Sequence, residues 1–125
     1  SQGTTVILVL SPWHPYLYGY LLTEPEQHKG FFLVENWLRQ YCADNNVPLY
    51  GSYDPACIEG LQETDFFDGL HCGGTGIARF FPGIPQALAD LENGTLANPL
   101  DVHPRTSLDD PNAEPVDPDT NQQEG

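Results

Sequence analysis

Seven consecutive residues near the amino terminus, Thr4-Thr5-Val6-Ile7-Leu8-Val9-Leu10, run from β-branched to aliphatic with no charge among them. A strand with one wet face alternates apolar and polar residues. A continuous apolar run instead marks a strand covered on both faces, as in a parallel sheet between helical layers. Ser11-Pro12-Trp13-His14-Pro15 closes the run, because proline continues neither a ladder nor a helix interior. Thr23-Glu24-Pro25-Glu26 has the form of a capping box. From there to about Asn45, the residues Phe31, Val34, Leu38, Tyr41 and Cys42 recur at helical spacing as one apolar stripe. Asn45-Asn46 ends that helix, and residues 47–53 read as a second short strand. Strand, helix and strand make a right-handed βαβ crossover.

Asp54-Pro55 opens a loop that reaches Thr64. Residues 75–81 are expected as a short helix stopped by Pro82-Gly83, and residues 85–91 as another, with Gly94 as its cap. Two strands do not hold a sheet together alone. Residues 1–96 therefore read as the carboxyl-terminal part of a larger α/β domain. Residues 97–125 read as an acidic, Pro-rich tail: positions 101–125 hold seven acids against Arg105, with four prolines and no aromatic ring. Such a segment buries too little apolar surface to offset its ordering entropy, and disorder is the expectation.

Charge restricts the partners. Eighteen acids against four Lys plus Arg leave a net charge of −14, which excludes phosphate neutralisation and therefore nucleic acid. The same balance argues against anionic membrane surfaces. No stretch has the length of a bilayer span, and residues 6–10 are too short, and lack the basic flank, for a signal peptide. An exported protein would carry its signal outside this chain. Three cysteines, Cys42, Cys57 and Cys72, form no CxxC pair; Cys42 reads as a small core hydrophobe, and an oxidising compartment would allow Cys57 and Cys72 to pair.

The chemistry concentrates in Asp65-Phe66-Phe67-Asp68-Gly69-Leu70-His71-Cys72-Gly73-Gly74-Thr75-Gly76. A carboxylate three residues before an imidazole, within a turn that glycines make sharp, can hold one ring nitrogen and leave the other as a general base. Together with Gly51-Ser52-Tyr53-Asp54-Pro55 and the strand that ends in Ser11-Pro12-Trp13-His14-Pro15, this block resembles the carboxyl-terminal part of SGNH (GDSL-like) hydrolases and acyltransferases. The resemblance covers residues 4–92. It implies a three-layer, flavodoxin-like parallel sheet, present here in part. It also implies His71 as the base of a Ser-His-Asp triad and Asp68 as its orienting acid. The substrate it implies is a small ester or acetylated carbohydrate, with no cofactor and no metal. The family's Gly-Asp-Ser segment, its oxyanion-hole glycine and its Gly-x-Asn-Asp segment do not occur in residues 1–125 and are expected in a missing amino-terminal part of the same domain.

Plainer readings stand beside these. Asp68 can cap the following helix, and Asp65 competes as the triad acid. His14 follows a parallel strand, where open α/β sheets collect ligands, and with Trp13 is a candidate substrate contact. Trp13, Tyr16, Tyr18 and Tyr20 either line an acyl or glycan pocket or pack under the sheet. Cys72, His71, His14 and Asp68 are zinc-type donors without the spacing of a closed site. Ser11 and Ser52 lack a nucleophile-elbow context. Asp101-Val102-His103 repeats an acid and a histidine in the tail by accident, and Asn93-Gly94-Thr95 is a sequon only for a eukaryotic secretory host. A different class remains open: a non-catalytic acidic module for a basic partner.

Overall fold

A computed structural model describes residues 4–68 and 71–110. It is a mixed α/β structure with a two-stranded parallel sheet. Strand β1 (Leu8–Leu10) pairs with β2 (Leu49–Gly51) in the register Leu8 to Leu49, Val9 to Tyr50 and Leu10 to Gly51. Both strands are shorter than their apolar runs. Ladder pairing ends where β2 meets Gly51, whose positive φ of 86° turns the chain; a side chain there would collide with the Leu10 carbonyl and the Phe80 ring. β1 is not covered on both faces as expected, since Val9 remains 41 % exposed.

The crossover holds two helices rather than one. α1 (Pro15–Leu22) forms where the two prolines were expected to maintain a loop. Pro15 occupies its first turn, where a missing N–H costs nothing, and the His14 side chain caps it. Thr23 does not start the next helix. Its hydroxyl donates to the Tyr20 carbonyl (2.6 Å) and closes α1. α2 (Lys29–Asn45) begins six residues later without a side-chain cap, and ends at Asn46 in the left-handed conformation.

The buried face of α2 is Phe32, Glu35, Arg39 and Cys42; of the apolar stripe read from the sequence, Cys42 is the residue fully inside, as expected. Val34 and Tyr41, expected inside, are exposed, and Trp37 stacks on Tyr41 in the open. The reason is an ion pair. Glu35 and Arg39 are bonded through Nε (2.9 Å); Arg39 also donates to the carbonyls of Gly51 (2.7 Å) and Pro99 (3.0 Å), while Glu35 accepts from the Tyr53 amide (2.9 Å). Each nitrogen of that guanidinium finds a partner, which a buried charge requires. The apolar core lies alongside, with Tyr18, Leu21, Leu22 and Phe32 packed under Trp13, Phe31 and Tyr53.

After a 3₁₀ turn at Pro55–Cys57 and another at Glu63–Asp65 come α3 (Gly74–Ile77) and α4 (Ile84–Asn93), the latter capped by Gly94 as read from the sequence. The chain expected to be disordered from residue 97 is instead packed as far as Asp110. Pro99–Asp101 forms a 3₁₀ turn, Pro104 is buried, and Arg105 donates to Asp54 through its amide (2.8 Å), Nε (3.0 Å) and Nη2 (2.9 Å). These bonds anchor residues that apolar content alone would not. The expectation for 111–125 lies outside the described residues. Among the described residues no helix is long and apolar enough to cross a membrane. β1 has no second strand partner there, and Thr5, Ile7 and Val9 face Phe81, Ile84 and Leu88 of the α4 region across an apolar groove of about 540 Å³.

Candidate active site

The loop that carries Asp68 and His71 is a small hairpin. Phe66 and Cys72 form an antiparallel bridge, and the Phe67 amide donates to the His71 carbonyl (2.8 Å). Its base is held by Asp65. That carboxylate accepts from the Gln62 amide (2.9 Å), the Thr75 hydroxyl (2.9 Å) and Arg79 Nε (2.8 Å), while the Asp65 carbonyl accepts from the Gly73 amide (2.6 Å). The Gln62 amide, then Arg79, hold the Asp65 carboxyl below its ordinary pKa. Gly76 lets α3 come this close, because a side chain there would overlap Cys72 and Asp65.

At the tip, both carboxylate oxygens of Asp68 lie 2.9 Å from His71 Nδ1, and one also accepts from the His71 amide (2.9 Å). An ionised carboxylate only accepts, so the imidazole proton in this contact sits on Nδ1 and Nε2 is the basic nitrogen. Asp68 does not cap α3, whose N-cap is Gly73. Both side chains face water, His71 at 71 % and Asp68 at 59 % exposure.

A groove of about 390 Å³ opens beside this pair, lined by His14, Tyr16, Leu17, Glu63, Phe66, Phe67 and Asp68. The end of β1 and the hairpin therefore meet: His14 packs on Phe66 with ring centroids 5.3 Å apart. Trp13, the other candidate contact, lies elsewhere, against Phe31 in the core at 4.9 Å. Tyr18 is buried and donates to the Arg105 carbonyl, whereas Tyr16 and Tyr20 are exposed. Ser52 is wholly buried, and its oxygen accepts from the Asp54 amide (3.0 Å), so it is no nucleophile; Ser11 is exposed.

None of the three cysteines forms a disulfide among the described residues, so Cys57 and Cys72 do not pair. Burial, then the charge of Asp54, pushes the Cys57 thiol up to about 12. Burial, then the charge of Asp65, also raises the Cys72 thiol, which disfavours its thiolate. Asp101 and His103 form no pair like that of Asp68 and His71 in any contact seen among the described residues; His103 contributes its carbonyl to Cys57.

The arginines carried a signal that composition alone left unread. The chain has four cationic residues, and all three arginines are bonded to carboxylates: Arg39 to Glu35, Arg79 to Asp65 and Arg105 to Asp54. Scarce arginine in an acidic chain is a sign of structural pairing. Compared with protein-family models, curated proteins and solved structures, the chain matches none.

Proposed function

We propose that this chain supplies the general base, His71, and the orienting acid, Asp68, of a Ser-His-Asp triad in an SGNH-type serine esterase or O-acyltransferase. The serine belongs to a part of the domain outside residues 1–125. The observation that supports this reading is the Asp68 carboxylate on His71 Nδ1 at 2.9 Å, water-accessible and beside a groove. His71 Nε2 takes the proton of the serine hydroxyl as its oxygen attacks the ester carbonyl. The same nitrogen returns that proton to the departing alcohol, and an acyl-serine remains. Water or an acceptor hydroxyl, deprotonated by His71 in turn, then attacks the acyl carbonyl, and His71 hands that proton to the departing serine oxygen. Asp68 keeps the imidazole in the productive tautomer and stabilises its cationic form. Acyl transfer by this route needs no cofactor. The bare β1 edge and the apolar groove above it support a larger, flavodoxin-like sheet of which this is the carboxyl-terminal part.

The test is turnover of an aryl acetate. Residues 1–125 alone are expected to be inactive, and the polypeptide that adds the serine active. His71→Ala in that polypeptide should lower kcat by about 10⁴-fold or more. Undiminished turnover in His71→Ala overturns the triad. Activity of residues 1–125 that His71→Ala abolishes would place the nucleophile within this chain.

A further inference from the structure

α2 is inverted relative to an ordinary surface helix, which turns its apolar stripe inward. At about 100° per residue, Leu33, Val34, Trp37 and Tyr41 lie on the side opposite its buried residues. The buried side carries the Glu35–Arg39 ion pair, and the open side carries these four large apolar side chains, between 47 % and 64 % exposed. Apolar residues scattered singly over a surface need no explanation. Four on one stripe form a patch of the kind that marks an interaction surface. Trp37 and Tyr41, one turn apart, are already stacked, with ring centroids 5.6 Å apart and planes 17° apart. Two rings that hold each other have little side-chain freedom left to lose on docking.

The rim of the stripe says what docks there. The chain as a whole has a net charge of −14, yet this rim is balanced. Lys29 stands at its amino-terminal end and Asp44 at its carboxyl-terminal end, both exposed. Gln40 holds the Asp44 carboxylate from one turn below (2.9 Å), and the 3.9 Å contact of Lys29 with Glu26 is loose enough to be exchanged. A basic partner would call for a row of acids along the stripe. One cation at one end and one acid at the other make a face complementary to itself when turned end for end. Trp37 is the central residue of α2. In an antiparallel pair with a two-fold axis at Trp37, Leu33 of one copy meets Tyr41 of the other, and Lys29 meets Asp44. The symmetry forms each of these contacts twice.

We propose that α2 is a self-association surface: two copies of this chain pair through antiparallel α2 helices, with Trp37 at the axis and Lys29 against the partner's Asp44. The inference does not rest on the triad. A 17-residue helix is about 25 Å long, and one face of it lies at the lower end of specific interfaces, roughly 1,200 Å² in total. Repulsion between two acidic copies opposes the contact. The dimer is therefore weak, with Kd on the order of 10–100 µM, and dilute samples are monomeric.

Sedimentation equilibrium of residues 1–125 across that range should show monomer and dimer exchanging. The dimer should tighten as salt rises, because screening removes the repulsion between copies. Trp37→Gln should raise Kd by about tenfold or more, the scale of a central aromatic residue, and Tyr41→Gln by somewhat less. Both should keep the wild-type unfolding midpoint in dilute solution, since their side chains lie outside the core. Lys29→Asp and Asp44→Lys should each weaken the dimer several-fold, although they change the net charge in opposite directions. Combined in one chain they should restore it, because each exchanged charge again meets its opposite. Val6→Lys, beside the open edge of β1, should change Kd less than twofold.

A chain that stays monomeric to about ten times that Kd range overturns the proposal. So does a dimer that Val6→Lys abolishes and Trp37→Gln leaves intact, which would place the contact at the sheet edge. Failure of the double charge exchange to restore pairing would refute the antiparallel register. The polypeptide that includes the serine should dimerise in the same way. If it is monomeric while residues 1–125 dimerise, the α2 face is covered by the missing part of the domain and the proposal falls.

Discussion

At the base of the 66–72 hairpin, Asp65 is 5 % exposed and accepts an amide, a hydroxyl and a guanidinium; at its tip, Asp68 is 59 % exposed and faces His71. The residue type is the same and the positions are three apart. Their surroundings differ in one respect: Arg79 and Thr75 of the following segment reach Asp65, and the proton-carrying nitrogen of His71 reaches Asp68. A carboxylate satisfied by permanent donors is fixed scaffold. One that meets an imidazole at the protein surface is the one the proposed triad uses. The first makes the second precise, because the anchored base of the hairpin sets where its tip stands.

The largest effect should separate these acids. Asp68→Asn removes the ionised acceptor and permits the wrong imidazole tautomer, so kcat of the polypeptide that includes the serine should fall by about 10⁴-fold. Its unfolding midpoint should stay where it is, since the side chain is exposed. Asp65→Asn should do the reverse, lowering the midpoint and leaving kcat of the folded fraction within a few-fold. If both variants lose activity and stability together, the division of labour between base and tip is wrong.

The next effect extends the comparison to another buried acid, Asp54. Arg105→Ala leaves the Asp54 carboxylate, which has no exposed surface, without its guanidinium. Breaking a buried pair in this way costs about 3–5 kcal/mol, as read from urea unfolding followed by circular dichroism. It should also make residues 102–110 more open to proteolysis, since the Arg105 side chain is one of their ties to the domain. A loss below about 1 kcal/mol would mean that the pair behaves as a surface contact.

These pairs also explain which parts of the fold were legible. Local patterns located the end of α2 at Asn46, α4 with its Gly94 cap, and the Asp68/His71 contact, all of which depend on neighbours a few residues away; β2 was legible from its own apolar run although its ladder partner is β1. What escaped depends on distant partners. Arg105 meets Asp54 51 residues upstream, and Arg39 meets Pro99 60 residues downstream, and neither leaves a periodic trace. The face of α2 was misjudged for that reason: apolar spacing pointed to Val34 and Tyr41, but Glu35 and Arg39 turn inward once Gly51, Tyr53 and Pro99 satisfy them. α1 was missed because Pro15 was weighed as a breaker rather than as a first-turn residue. In the groove, His14 was legible as a strand-end residue, whereas the Phe66 ring that holds it was not.

Acid should sharpen the contrast through Asp65. Its folded-state pKa lies below the ordinary value of 3.8, so the stabilisation it gives is complete above that value. The stabilisation is lost as pH falls below 3.8 through the folded pKa, because the unfolded chain takes up the proton first. Midpoints measured from pH 5 to pH 2 should therefore decline, and Asp65→Asn should flatten part of that decline. Equal slopes in wild type and Asp65→Asn would remove Asp65 from the scaffold.

The smallest effect belongs to the one cation outside the buried pairs. Lys29 lies 3.9 Å from Glu26, with the two side chains 68 % and 92 % exposed. Water screens that attraction, and holding two long side chains together costs rotamer freedom, so such pairs contribute little. Lys29→Gln takes the net charge of −14 one unit further from neutrality, which adds a weak, salt-dependent repulsion spread over the surface. The expected midpoint lies within about 1 °C of wild type at 0.15 M salt and slightly lower at low salt. If Lys29→Gln destabilised the protein as much as Arg105→Ala, burial would not be what distinguishes the structural charges from the others. Asp68 could then no longer be set apart from Asp65 by its exposure.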